Sequence, residues 1–360
     1  MDSMRAEQLY NMPQCMSEYD DLEEVLLCSP IYMEIKQIIN ETQKHFAKEN
    51  ISQMKAVAQH KQLIQTLKDH QVRPILLPPN ERFPEQVFTR DIGFTIGHTL
   101  FVSSMAAPVR QGEEQYLKEW AHAKGWSAVT LTDGTIEGGD VLVDQNRVFV
   151  GTSKRTSPAA IYQLKKELPD HDIIPIHLPP HILHLDCVMN ILSHDEIIIY
   201  PEAFKQKDLQ LLKTYYDLIE ISEQEQFTLG PNVLSIGQKK VISLPSNQET
   251  NAALTAHGYT VIEVDFSEII KSGGSFRCCT LPIRRSSIKK AACRTACLLA
   301  GFCLACLIFY YINDRQLHVL LPPFVMPVFF QHTHPSRQDI LFEIHSRLAG
   351  SLDLEFLLLK

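Results

Sequence analysis

The sequence lacks several features that would assign a function at once. No uninterrupted apolar stretch follows the opening Met-Asp-Ser-Met-Arg, so a secretory signal is not expected and the cytoplasm is the expected location. None of the helical segments is opened by a Gly-x-Gly-x-x-Gly or a Gly-x-x-x-x-Gly-Lys loop, which removes the usual nucleotide-binding devices. Basic residues are in deficit, 34 against 42 acidic, and a formal charge of -8 repels phosphate backbones. No basic stripe precedes residue 284, so nucleic acid is not an expected partner. Linkers rich in proline, glycine and serine are missing up to residue 282, which leaves no domain boundary there.

What is present is a chain of 360 residues, 45% hydrophobic and 21% charged, enough to bury a substantial core. Nine cysteines stand at 15, 28, 187, 278, 279, 293, 297, 303 and 306. A chain of this size needs no covalent staples, and they read as reduced thiols. From about residue 24 to 282 short β-rich runs alternate with helical ones, the pattern of an α/β protein. Strands are predicted at Glu24–Cys28, Arg73–Leu77, Ile92–Phe101, Val141–Val150 with a turn at Asp144-Gln145-Asn146, Ile173–Ile176, Glu196–Tyr200, Lys240–Leu244 and Thr260–Val264. Helices are predicted at Asn40–Asp69, Glu113–Ala123, Ala159–Glu167, Lys207–Tyr215 and Gln248–His257. One catalytic domain, residues 1–285, accounts for this part.

Residues 286–360 break the pattern. Ile283–Thr295 holds five basic residues and no acid, and Ala296–Ile312 is 17 residues without charge. A membrane anchor is physically possible, at the short end of what spans a bilayer. An amphipathic or disordered extension is an alternative, and the stretch reads slightly better as one translated from sequence that never evolved as protein, since Cys293, Cys297, Cys303 and Cys306 have no metal spacing and no caps or sustained period follow Asp314.

Four polar motifs interrupt the β-rich runs: Phe88-Thr89-Arg90-Asp91, Glu137-Gly138-Gly139-Asp140, His184-Leu185-Asp186 and Gly273-Gly274-Ser275-Phe276-Arg277-Cys278-Cys279. Each alone has a structural explanation: Asp91 as a turn former, Glu-Gly-Gly-Asp as a tight turn, His184 as a buried structural histidine, Cys278 as a small core hydrophobe. Together they supply what nucleophilic cysteine chemistry on a cation requires: a thiol, an acid/base near working pH, and carboxylates.

With these motifs in this order, and Gly151-Thr152-Ser153-Lys154-Arg155-Thr156 between the second and third, residues 20 to 283 resemble the guanidino-group modifying enzymes: dimethylarginine dimethylaminohydrolases, arginine deiminases and arginine:glycine amidinotransferases. The resemblance implies the pentein fold, an α/β propeller of five ββαβ modules. It also implies Cys278 as nucleophile, His184 as acid/base and Glu137 as a third catalytic group. Asp91, Phe88, Asp140, Arg155 and Asp186 would bind a small guanidino substrate, Arg155 by its α-carboxylate. No metal and no cofactor is required. Asp91 and Glu137 would accept from the guanidinium N–H groups. Asp186, if on a strand, would share a face with His184 and orient it. Of the neighbours Cys278 and Cys279, alternation along a strand lets only one reach the site.

The sequence departs from the dimethylaminohydrolase pattern in carrying Asp186 where those enzymes usually have lysine, as deiminases and amidinotransferases do. It lacks the helical insertion of deiminases, with one helical run between Cys28 and Asp91, which favours the dimethylaminohydrolase-like branch. The expected activity is hydrolysis at the guanidinium carbon of arginine or an N-substituted arginine. The alternatives are arginine deimination or amidinotransfer, and, in another class, arginine binding without turnover.

Overall fold

The computed structural model describes residues 12–286, and the expectations for residues 287–360 lie outside them. The described chain makes five three-stranded sheets, each built on the same plan. The first joins the two ends: β1 (Asp21–Cys28) lies between β2 (Arg73–Leu77), parallel to it, and the last strand, β15 (Leu281–Ser286), antiparallel to it. The second holds β3 (Gly93–Ile96), β4 (Thr99–Val102) and β5 (Ala128–Thr130). The third holds β6 (Val141–Asp144), β7 (Arg147–Thr152) and β8 (Asp172–His177), and the fourth β9 (Met189–Ile191), β10 (Glu196–Ile199) and β11 (Asp217–Glu220). The fifth holds β12 (Leu234–Gly237), β13 (Lys240–Ser243) and β14 (Thr260–Glu263).

In every sheet the first pair is antiparallel and the second parallel. A parallel neighbour needs a crossover, and a helix supplies it each time: Gln53–Asp69, Glu114–Ala123, Pro158–Glu167, Gln206–Lys213 and Gln248–Ala256. Five ββαβ units are the five-bladed α/β propeller. Strands such as Leu234–Gly237 and Val141–Asp144 are buried along their whole length because each sheet is covered on both faces, so they read as continuous apolar runs. Phe149 and Ile176 of the third blade pack with Met189 and Ile197 of the fourth in one such inter-blade core.

The local sequence explains the punctuation. Gln53–Asp69 buries Ala56, Gln59, His60, Leu63 and Leu67, one helical face. Ser157 caps its helix by accepting from the N–H of Ala160, with Pro158 in the first turn, where its missing N–H costs nothing. Gln145 turns the predicted hairpin of the third blade with a φ of 57°.

Several expectations are corrected. Ile92–Phe101 is not one strand but a hairpin, β3 and β4, turned at Gly97 with a φ of 58°. Asn40–Asp69 is two helices, Glu41–Phe46 and Gln53–Asp69, separated by a turn in which Asn50 takes a φ of 58°; Asn40 caps the first by accepting from Gln43. Neither Cys278 nor Asp186 is on a strand. Both lie in tight turns, so the alternation arguments made for them do not apply.

Candidate active site

Each blade is entered through the same device. Immediately before its first strand the chain makes one tight turn closed by an N–H of residue i+3 on the carbonyl of residue i: Asp91 on Phe88, Asp140 on Glu137, Cys187 on His184, Asn232 on Leu229 and Thr280 on Arg277. Four of these turns carry the polar motifs. Cys278, His184, Asp91, Phe88 and Arg155 line one narrow cleft with Ile39, Asn40, Glu85, Arg110, Leu183 and Gly274.

His184 is fully buried. Its Nε2 lies 2.8 Å from Oε2 of Glu137 and its Nδ1 3.6 Å from Oδ1 of Asp91. Burial disfavours the imidazolium, but the charge of Asp91, the hydrogen bond to Glu137 and the charges of Asp140 and Glu137 outweigh it and raise the pKa to about 10. Glu137 moves the other way: burial alone would raise its pKa, and the His184 hydrogen bond with the charges of His184, Arg155 and Arg110 hold it at about 2. The two form a charged pair whose Nε2–H donates to the carboxylate.

The paired glycines are required by this packing. A Cβ on Gly139 would stand 2.8 Å from Oδ1 of Asp91 and from the ring of His184. One on Gly274 would stand 2.5 Å from the Phe88 ring and 2.9 Å from Cβ of Cys278. The backbone must come this close for ring, carboxylate and thiol to share one cleft.

Cys278 sits at the cleft and Cys279 points away, fully buried and held well above the ordinary thiol pKa, chiefly by that burial. The turn therefore separates the two cysteines as a strand would have. Asp186 does not touch the imidazole, contrary to one expectation. Its Oδ2 takes a 2.6 Å ion pair from Arg277, which also binds Glu18 at 3.0 Å, and its two oxygens stand 3.7 and 3.6 Å from Sγ of Cys278.

Glu137 does not face the cleft with free oxygens either, since Arg155 reaches it at 3.2 Å in addition to His184. Asp140 is also behind the wall: one oxygen accepts from the Leu185 N–H at 2.9 Å and the other from Ser153 Oγ at 2.7 Å, which ties down the turn bearing His184. Asp91 gives Oδ2 to Arg110 at 2.5 Å, whereas its buried Oδ1 has no hydrogen-bond partner and is open to a donor.

Three groups were missed. Arg110, buried between Asp91 and Glu113, and Glu85, whose pKa burial raises to about 7, line the cleft but belong to no motif. Asn232 was missed because β12 was not recognised as a strand, so the turn before it had no reference point. Ligand atoms of Asp91, Glu137 and His184 lie within 4.8 Å of one another, as do those of His184, Asp186 and Cys187. Such groups could hold a cation only in competition with the proton that the surrounding carboxylates favour on His184.

A propeller of five ββαβ blades whose entry turns bring a cysteine, a histidine and carboxylates into one cleft is the architecture of the guanidino-group modifying, or pentein, enzymes. Residues 29–285 match the family described as N,N dimethylarginine dimethylhydrolase, eukaryotic, and the chain belongs to that family, whose members hydrolyse C–N bonds of guanidino groups. It is 52% identical over 271 residues to YkgA, an uncharacterised protein of Bacillus subtilis, covering 75% of this chain and 95% of that one. It is 28% identical to the N(G),N(G)-dimethylarginine dimethylaminohydrolase of Pseudomonas aeruginosa, covering 67% and 92% of the two chains. Among solved structures, the N-terminal domain of ArgZ, an arginine dihydrolase from cyanobacteria, superposes with a TM-score of 0.67 at 26% identity, covering 73% of this chain and 98% of that one. No helix among the described residues is long and apolar enough to cross a membrane.

Proposed function

We propose that the chain hydrolyses the guanidinium group of arginine or an N-substituted arginine through a covalent thiouronium on Cys278, giving a ureido product and an amine or ammonia. The observation that carries this reading is the cleft that holds the Cys278 thiol, the cationic His184 and the open Oδ1 of Asp91 together. A guanidinium ion is a poor electrophile because its charge is spread over three nitrogens, so the site must fix its plane and present a strong nucleophile. Asp91 and Asp186 accept its N–H groups, and Phe88 forms a wall of the cleft. Glu137 holds His184 charged, and Arg155, with Arg110 nearby, meets the α-carboxylate. Asp140 acts through the turn that carries His184.

In the first half of the reaction the Cys278 thiol releases its proton to solvent, Sγ bonds to the guanidinium carbon as a thiolate, and the departing nitrogen leaves with the C–N pair and a proton from His184. In the second half water adds and gives one proton to His184, the C–S pair returns to sulfur as the ureido C=O forms, and the proton left on that oxygen passes to solvent, where the released amine or ammonia takes one up. The position of Asp186 beside Sγ favours substrates whose terminal nitrogens carry hydrogens, since a dimethylated nitrogen has none to donate. Arginine and monomethylarginine should therefore precede asymmetric dimethylarginine. Catalysis is assigned to residues 1–285. Incubation with arginine, the methylated arginines and agmatine, with the released amine identified by mass spectrometry, tests the reading. Absence of any ureido product from the whole set would refute it.

A further inference from the structure

Four of the five entry turns bring chemistry to the cleft through the motifs above, and the fifth, Leu229–Asn232 before β12, ends in an asparagine with no motif around it. Asn232 is fully buried, and all its amide atoms are engaged at the nucleophile. Its Oδ1 accepts the backbone N–H of Cys278 at 3.1 Å and of Ser275 at 3.2 Å. Its Nδ2 donates to the carbonyl of Asp186 at 3.0 Å and to Sγ of Cys278 at 3.1 Å.

These partners fix the orientation of the amide. Reversed, it would set its NH2 against two N–H groups and its oxygen against a carbonyl, three repulsive contacts in place of three bonds. The atom facing the sulfur is therefore a donor.

We infer that Asn232 is a catalytic residue: its side-chain N–H binds the Cys278 thiolate and holds it at the point of attack. This rests on Cys278 being the nucleophile. Sulfur carries negative charge at two moments, before it attacks the guanidinium carbon and when the C–S pair returns to it on release of the ureido product. A fixed neutral donor stabilises both without adding a charge beside Asp186, and in a buried site such a donor is worth more than in water. Through Oδ1 the same residue ties the nucleophile turn to the fifth blade, so the sulfur is stabilised and located by one group.

The test is made on the full chain with Asn232→Asp, which keeps the oxygen toward the two N–H groups but turns a negative oxygen toward sulfur, and with Asn232→Ser, which removes the amide. Thermal melting establishes folding, turnover is followed on the substrates above, and iodoacetamide labelling is followed on the Cys278 peptide. The expected result for Asn232→Asp is a fall in kcat of about 100-fold with KM changed by less than about threefold, and labelling slowed in parallel, with a smaller fall for Asn232→Ser. A folded Asn232→Asp protein with kcat and labelling within about threefold of the parent overturns the assignment. So does failure of both variants to fold, which would make Asn232 a residue of the fold alone. If the parent protein is active yet remains so without a thiol at residue 278, the nucleophile assignment itself has failed. If Cys278 is the labelled, essential thiol and Asn232→Asp leaves its rate unchanged, only the role of Asn232 is lost.

Discussion

Nε2 of His184 lies 2.8 Å from Oε2 of Glu137, both fully buried, and each holds the other in its charged form. The histidine is raised to about 10 and the glutamate lowered to about 2, against the desolvation that burial imposes on both. This suits a proton donor for a departing amine, which must arrive charged at neutral pH.

Glu137→Gln removes the carboxylate that accepts the imidazolium's hydrogen bond and, after Asp91, helps hold it charged. The His184 pKa should fall, so the alkaline limb of the kcat–pH profile should move to lower pH, with activity near pH 8 reduced by about 10- to 100-fold. A profile measured from pH 6 to 10 on arginine checks this, and an unmoved limb would separate Glu137 from the proton donor.

The same pair links stability to pH. His184 is raised from its ordinary 6.5, so its contribution is complete below about pH 6.5 and is lost as pH rises through about 10. Glu137 is lowered from 4.5, so its contribution is complete above about 4.5 and is lost as pH falls through about 2. Other buried acids titrate as well, so the informative quantity is the difference in unfolding free energy between the protein and His184→Asn. That difference should be greatest between about pH 4.5 and 6.5 and shrink toward pH 10. A difference flat across the range would mean that the pair is not charged in the folded state.

Cys278→Ser should reduce turnover by at least about 10³-fold, because a serine here has no base strong enough to ionise it. Cys279→Ser should keep most of the activity and lose stability, about 1 to 3 kcal/mol, since its hydroxyl enters a core that includes Val87, Phe276 and Leu27. Steady-state rates and denaturant melts on both variants decide it, and the reversed outcome would place the nucleophile one residue along.

Arg155→Ala should lower kcat/KM for arginine by about 10- to 100-fold, the worth of a charge-assisted hydrogen bond, and affect agmatine far less because it has no carboxylate. Arg155 also contacts Glu137 and the carbonyl of Ile39, so some loss is shared by both substrates. Equal losses on both would remove Arg155 from carboxylate recognition.

The legible part of the site was the part where polar residues interrupt apolar runs. Phe88–Asp91, Glu137–Asp140, His184 and Cys278 stand out because each closes a turn before a strand that must be apolar on both faces. The alternation of strands and helices was legible for the same reason, but not its division into five. Met189–Ile191, Ala128–Thr130 and Leu234–Gly237 are three or four residues long, too short for a period of two to show, and exist through their neighbours in the sheet. With β12 unseen, Asn232 had no frame of reference. Arg110 was hidden differently: its role depends on Asp91, 19 residues away in sequence, and on no local pattern.

The extent of the catalytic unit gives the last prediction. β15 closes the propeller by pairing with β1, from Leu281 against Leu26 to Ser286 against Asp21, so the fold requires the chain as far as Ser286. Arg285 reinforces that closure: its guanidinium is buried and donates to the carbonyls of Asp20 at 2.7 Å and Ser235 at 2.9 Å, joining the first and fifth blades. Every residue assigned here to the cleft lies before it. A chain ending at Ser286 should therefore fold, melt within a few degrees of the full chain, and turn over arginine at the same kcat and KM. A chain ending at Thr280 removes the closing strand and its ladder with β1, exposing the inner edge of the first blade, and should not fold. Melting curves and steady-state kinetics on the two truncations and the full chain check both statements. An inactive or unfolded protein ending at Ser286 would show that residues beyond it complete the core.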